Sequence, residues 1–205
     1  MVAFLMLSIA TPAQAVSDLF RQAEELERQG FFDDAIQAWK KVLAANPEKV
    51  ERINAQIKLS IDLYKAGQFD AALEQAQILA KSEPENFDAN FNLGNALSSM
   101  ARFSEAAEFY EKSIQLRSGE GLAYVGAALS YFGDGLSKKA IGRLIEAKNL
   151  FKEKKNISWH RDTQLMMQQI NMFVEAQYPP TFSSLWLKTS LKQVRDTYEK
   201  NVFNQ

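Results

Sequence analysis

Apolar and small residues recur along residues 16–152 at the helical spacings of three and four, and a second, longer period is laid over them. Gly30, Gly67, Ala101 and Gly135 each close an amphipathic stretch, and five residues further on stand Ala35, Ala72, Ala106 and Ala140. These alanines are 37, 34 and 34 residues apart. Aligning on them puts Trp39, Ala76, Tyr110 and Leu144 in one column and Val42, Leu79, Ser113 and Ala147 in the next. A glycine closing a helix supplies the left-handed backbone that reverses the chain in a few residues. A small alanine early in the following helix lets two antiparallel helices approach. Pro47 and Pro84 cannot continue a helix interior and so close the second helix of their units. The pattern predicts four helix-turn-helix units, at 16–49, 53–86, 87–120 and 121–152, with three extra residues between the first two.

Beyond Lys152–Asn156, a polar break, the long period is lost. A helix is predicted from about Ile157 to Gln177, ended by Pro179 and Pro180, and another from about Ser183 to Val202. In the last one Leu187, Leu191, Val194, Tyr198 and Val202 form a single apolar stripe. Stacked repeats expose an apolar end that needs a cap, so capping is the expected role of residues 157–205. Phe182, Leu185 and Trp186 lie off the stripe and are candidates for docking or self-association.

The turn segments Gly30-Phe31-Phe32-Asp33-Asp34-Ala35, Gly67-Gln68-Phe69-Asp70-Ala71-Ala72 and Ala101-Arg102-Phe103-Ser104-Glu105-Ala106 resemble the central turn of the tetratricopeptide repeat, and Leu93-Gly94 with Leu97 resembles the start of its first helix. The resemblance covers residues 16–152. It departs from the family at Gln22-Ala23 and Leu59-Ser60, where the pattern favours Leu-Gly, and at Ser118, where it favours Pro. It implies an all-α fold, a right-handed superhelix of about four repeats whose concave face, lined by the first helix of each unit, holds a partner segment. Transferred by column, the groove positions include Phe20, Asn54, Ile57, Ile61, Tyr64, Lys65, Asp88, Phe91, Asn95, Val125 and Leu129. Repeats of this family that clamp the acidic tail of a chaperone carry Lys and Asn at positions held here by Phe20 and Glu24, so that ligand is not expected. Residues 140–156 resemble the closing segment of tetratricopeptide proteins of photosynthetic bacteria and plastids, some of which assist photosystem assembly.

Composition narrows the chemistry. The chain has 24 Lys and Arg against 25 Asp and Glu, a net charge of -1, and no basic stripe of the kind that tracks phosphates, so nucleic acid is not an expected partner. It has no cysteine and a single histidine, His160, which removes thiolate and multi-histidine metal sites. No phosphate loop, zinc motif or nucleophile elbow is present. The expectation is a protein that is not an enzyme, with no cofactor, no metal and no small-molecule substrate. Met166, Met167 and Met172 read as adaptable packing.

At the N-terminus an apolar run, Val2 to Ala10, is followed by Pro12 and by Ala13-Gln14-Ala15. A run of about nine residues suits a signal-peptide core and falls short of the roughly 20 that span a bilayer. A signal cut after Ala15 is expected, with export to the bacterial periplasm or a thylakoid lumen, although no Lys or Arg precedes the run. The functional expectation is a scaffold or assembly factor of the cell envelope that binds another protein. Two alternatives stand beside it: a photosystem assembly factor, whose partner would be a membrane-complex subunit, and a permanent subunit of a larger complex docked through its last helix. The last predicts self-association through Phe182, Leu185 and Trp186.

Overall fold

The computed structural model describes residues 12–176, 178 and 180–203, all of the regular structure in them helical. The helices are α1 (Pro12–Gln29), α2 (Phe32–Ala44), α3 (Lys49–Lys65), α4 (Phe69–Ser82), α5 (Phe87–Ser99), α6 (Phe103–Leu116), α7 (Gly121–Gly133), α8 (Ser137–Glu153), α9 (Ile157–Glu175) and α10 (Pro180–Phe203). The run Val2–Ala10 lies outside the described residues. The three residues expected to separate the first two units are absorbed into α3, which has 17 residues where α5 and α7 have 13.

The turn column behaves as its residues require. Gly30, Gly67 and Gly135 have φ of 83°, 79° and 79°, and Ala101, in the same column, has φ of 58°. At each, the next residue's N–H reaches back over the turn: Phe31 to the Leu26 carbonyl at 2.9 Å, Gln68 to Leu63 at 2.8 Å, Arg102 to Leu97 at 3.0 Å and Leu136 to Tyr131 at 2.8 Å. This satisfies a carbonyl that the helix end would otherwise leave unpaired. Alanine meets its own Cβ in this conformation, at a cost of about 1 kcal/mol. Ala101→Gly is therefore expected to raise stability slightly, by up to about 0.5 kcal/mol, the strain relieved exceeding the extra entropy of the unfolded glycine. A urea titration that shows no gain would mean that the turn has relaxed around the alanine.

By packing, the chain divides into two compact units, one ending at Gln75 and the other beginning at Ala76, with the boundary inside α4. In the first unit α1 packs on α2 and α2 on α3. Its core is the predicted columns: Ala35, Trp39 and Val42 are each 0% exposed, with Ala23, Leu59 and Leu63 around them. Phe20 meets the Trp39 ring edge-on at 4.8 Å between centroids. The Ser60 hydroxyl donates to the Ala72 carbonyl at 3.0 Å and joins α3 to the start of α4.

In the second unit each helix from α6 to α9 packs on the one before it. Ala106, Tyr110 and Ser113 on α6, and Ala140, Leu144 and Ala147 on α8, are all fully buried, so the same columns form this core too. Tyr110 is its centre. The Tyr110 hydroxyl donates to Asn95 Oδ1 at 2.7 Å and lies 3.3 Å from the Ser98 hydroxyl, and burial pushes its pKa well above the ordinary phenol value. Arg143 makes a two-pronged ion pair with Glu111, at 2.7 and 2.6 Å, tying α8 to α6. Helix α9 lies against α8, in the place of a cap. Helix α10 does not continue this succession: it lies on α7 and α5, the first helices of the third and fourth hairpins.

Candidate protein-binding face

The first helices of the hairpins carry the residues that the repeat pattern assigns to a groove, and each unit uses them differently. In the first unit Ile57 and Ile61 are buried, at 0% and 4% exposure, Asn54 is half-buried, and Phe20 is committed to Trp39. Tyr64 is half-buried with its ring 5.1 Å from Phe69. Lys65 is exposed, pairs with Glu27 at 3.3 Å and sits 5.6 Å over the Phe32 ring. These residues do not form an open apolar strip: aliphatic side chains long enough to hold a ligand are also long enough to be drawn into the core.

A charge cluster joins α1 to α3 beside them. Lys58 Nζ lies 2.8 Å from Glu27, and the side chains are only 5% and 13% exposed. One turn away Asp62 is fully buried and accepts a hydrogen bond from Trp39 Nε1 at 2.9 Å. Burial, reinforced by the charge of Glu27 and opposed by the Trp39 hydrogen bond and the two lysines, pushes the Asp62 carboxyl from 3.8 up to about 7. Between those two pH values the folded chain binds more protons than the unfolded one, so stability falls as pH rises through that window, by at most about 1.4 kcal/mol per pH unit. Asp62→Asn keeps an acceptor for Trp39 and removes the titration. The variant is expected to gain on the parent as pH rises, modestly at pH 5 and by more at pH 8, read from urea midpoints at the two values.

In the second unit the groove positions are occupied by the chain's own last helix. Phe91, Val125 and Leu129 are 0% exposed and Asn95 is 4% exposed. The Tyr198 ring of α10 lies 4.4 Å from that of Phe91, and its hydroxyl donates to Asp88 Oδ1 at 2.9 Å. Arg117 reaches the other Asp88 oxygen at 3.3 Å. Burial and the neighbouring Asp88 charge hold the Tyr198 phenol well above its ordinary pKa, so it stays a donor. Arg195 Nη1 donates to the Ser99 hydroxyl at 2.6 Å. At the other end of α10 the Trp186 ring stands edge-on to Phe132, on the α7 face shared by Val125 and Leu129, and packs on Phe173 of α9, at 5.5 Å in each case. The stripe Leu187, Leu191, Val194 and Tyr198 is buried throughout, at 5%, 6%, 0% and 3% exposure. Each such side chain contributes about 1.5–3 kcal/mol when buried, enough to hold a helix of 24 residues in place.

The expected open groove of the second unit is thus a filled one. An apolar first-helix face and an amphipathic helix on the same chain satisfy each other, and the part of α10 expected to cap the last hairpin lies along α5 and α7 instead. Of the three docking candidates, Phe182 and Leu185 are 61% and 68% exposed, whereas Trp186 is half-buried in its aromatic contacts. Val202 is in α10, but its side chain lies outside what is described. The repeat columns also assign Ser99 to the groove, but sequence reasoning did not single out Arg195 or Tyr198 as its occupants; Tyr198 appeared only as a stripe residue, and nothing local links it to Asp88, 110 positions away. His160 is half-buried at the start of α9. Among the described residues no three His, Cys, Asp or Glu side chains are grouped to hold a metal ion, and no helix is long and apolar enough to cross a membrane.

Hairpins joined by left-handed turns, with alanine, aromatic and aliphatic columns between their helices, define a helical-repeat protein. Residues 20–51 and 57–121 match the family model of the tetratricopeptide repeat, and the chain carries these repeats. The match ends at 121, yet α7 and α8 keep the geometry, with Gly135 in the left-handed turn and Ala140 and Leu144 fully buried. No curated protein matches the sequence. Among solved structures, MamA of RS-1, a double mutant, is similar over 93% of this chain and 99% of its own, at 18% identity and TM-score 0.65. SycD, the type III secretion translocator chaperone of Yersinia enterocolitica, is similar over 60% and 94%, at 21% identity and TM-score 0.53. YrrB, a tetratricopeptide protein with an unusual peptide-binding site, is similar over 66% and 69%, at 20% identity and TM-score 0.56. At these identities the likeness is one of fold.

Proposed function

We propose that this chain is a protein-interaction scaffold, exported to the cell envelope, that assists assembly by holding a helical segment of a partner protein. The observation that carries the reading is the seating of α10 on α5 and α7: this face accepts an amphipathic helix through aromatic, aliphatic and hydrogen-bonding contacts together. Repeats of this family serve as protein-binding modules, and two of the similar folds belong to a secretion chaperone and to a protein with a peptide-binding site. Export rests on the apolar run Val2–Ala10 and on Ala13-Gln14-Ala15; Ala13 to Ala15 are exposed, and Val16 is the first buried side chain described. A photosystem subunit is the narrower candidate for the partner, on the strength of residues 140–156.

The exposed pair Phe182 and Leu185 favours a second reading, a permanent subunit docked through the start of α10. One experiment addresses both: the tagged chain is captured from its native envelope fraction as wild type and as Phe182→Asp with Leu185→Asp, and its N-terminus is sequenced. A scaffold retains a defined protein in both forms, and the mature chain begins at Val16. A partner lost only from the double variant moves the function to the α10 docking patch. Absence of any retained protein from both forms contradicts the interaction reading, and an N-terminus at Met1 contradicts export.

A further inference from the structure

We propose that α10 is an intramolecular occupant of the partner site, so that the α5–α7 face takes a partner helix of α10's own chemistry by displacing it. This rests on the interaction reading and adds to it the kind of partner and the step that controls access. The helices from α5 to α9 are each packed on their chain neighbour, and that succession does not run through α10. Helix α10 is placed instead across two non-consecutive helices, α5 and α7, the faces that repeat geometry reserves for ligands. Its seam interleaves apolar contacts with polar ones: Tyr198 on Asp88, Arg195 on Ser99, and Ser190 of α10 itself, buried at 6% exposure. Polar seams of this kind specify register and can be re-formed with another helix, because each hydrogen bond lost to water is recovered on rebinding.

The seam describes its occupant. A competing helix needs aliphatic side chains in the places of Leu187, Leu191 and Val194, an aromatic at the Trp186 end to meet Phe132, and a phenol donor four residues beyond the last aliphatic to meet Asp88. A guanidinium just after that aliphatic would reach Ser99. A helix with a carboxylate in the place of Tyr198 would be rejected by Asp88. Because α10 competes for the face, apparent affinity for such a helix is reduced by the fraction of time the face is closed, and weakening α10 raises it.

The test uses a fluorescent peptide of residues 180–203 added to full-length chains, with binding read by anisotropy. Val194→Asp releases the chain's own helix; Tyr198→Phe with Arg195→Ala loosens it without burying a charge and guards against misfolding of the first variant. Circular dichroism checks that both remain helical. The expected result is weak binding to wild type, binding about tenfold or more tighter to either variant, and loss of that gain when Asp88→Lys is added. A peptide with Asp in the places of Leu191 and Val194 should not bind. Equal binding to wild type and both folded variants, or none to any of them, overturns the proposal. If none binds while wild type still retains a partner from the envelope, the scaffold reading stands on another face and only the displacement of α10 falls.

Discussion

Trp39→Ala is expected to cost about 3–5 kcal/mol, among the largest losses any single truncation in this chain produces. Trp39 is 0% exposed at the centre of the first unit, supports the Phe20 ring, and gives Asp62 its one hydrogen bond from a neutral donor. Removing it opens a cavity and strips a donor from a buried acid at the same time. Trp39→Phe separates the two effects: most of the volume returns, the indole N–H does not, and the remaining loss of about 1–3 kcal/mol is the cost of the unmet carboxylate oxygen. Because a protonated Asp62 needs the donor less than a carboxylate does, the Trp39→Phe penalty is expected to be larger at pH 8 than at pH 5. Equal urea midpoint shifts at the two pH values would contradict the assignment of Asp62 as the titrating group.

The second large effect is expected at Tyr110 in the other unit. Tyr110→Ala should cost about 3–5 kcal/mol, since the ring is fully buried and stands edge-on to Phe91 at 5.4 Å between centroids. Its fit depends on two glycines of neighbouring helices. A Cβ at Gly126 would lie 2.5 Å from the ring and one at Gly94 3.0 Å, so the ring fills space that any larger residue would take. Gly126→Ala therefore should cost about 1–3 kcal/mol from overpacking alone. Combined with Tyr110→Leu, which removes the ring edge, the glycine substitution should cost markedly less than in the parent, a coupling that a double-mutant cycle measures directly. Additive losses would show that Gly126 is needed for something other than the approach of Tyr110.

The hairpins were legible because their physics is local and repeated. Left-handed turns at Gly30, Gly67 and Gly135 follow from a residue type that suits the conformation, and Ala101 could be placed with them only because its offset to Ala106 matched the other three. The column alanines and aromatics proved to be core for the same reason: four occurrences at nearly one period outweigh any single ambiguous residue. The candidate face was legible as a list of positions and not as a surface. A stripe of Leu187, Leu191, Val194 and Tyr198 says that the last helix must bury one side; it does not say against what. The pairings that settle it, Tyr198 with Asp88 and Arg195 with Ser99, span 110 and 96 positions, and neither has a local signature. Burial of Asp62 was hidden similarly, since an acid on a first helix, followed by Lys65, reads as a solvated face.

The arrangement also divides labour within α10. Its inner stripe and polar seam occupy α5 and α7, while Phe182 and Leu185 stay exposed near its start.

Hydrogen exchange of the full-length chain, with and without the captured partner, tests most directly that partner and α10 compete for one face. Under competition the partner speeds exchange along residues 187–198 of α10 while α5 and α7 stay protected or gain protection. Unchanged or slower exchange in α10, with protection appearing elsewhere, would contradict it.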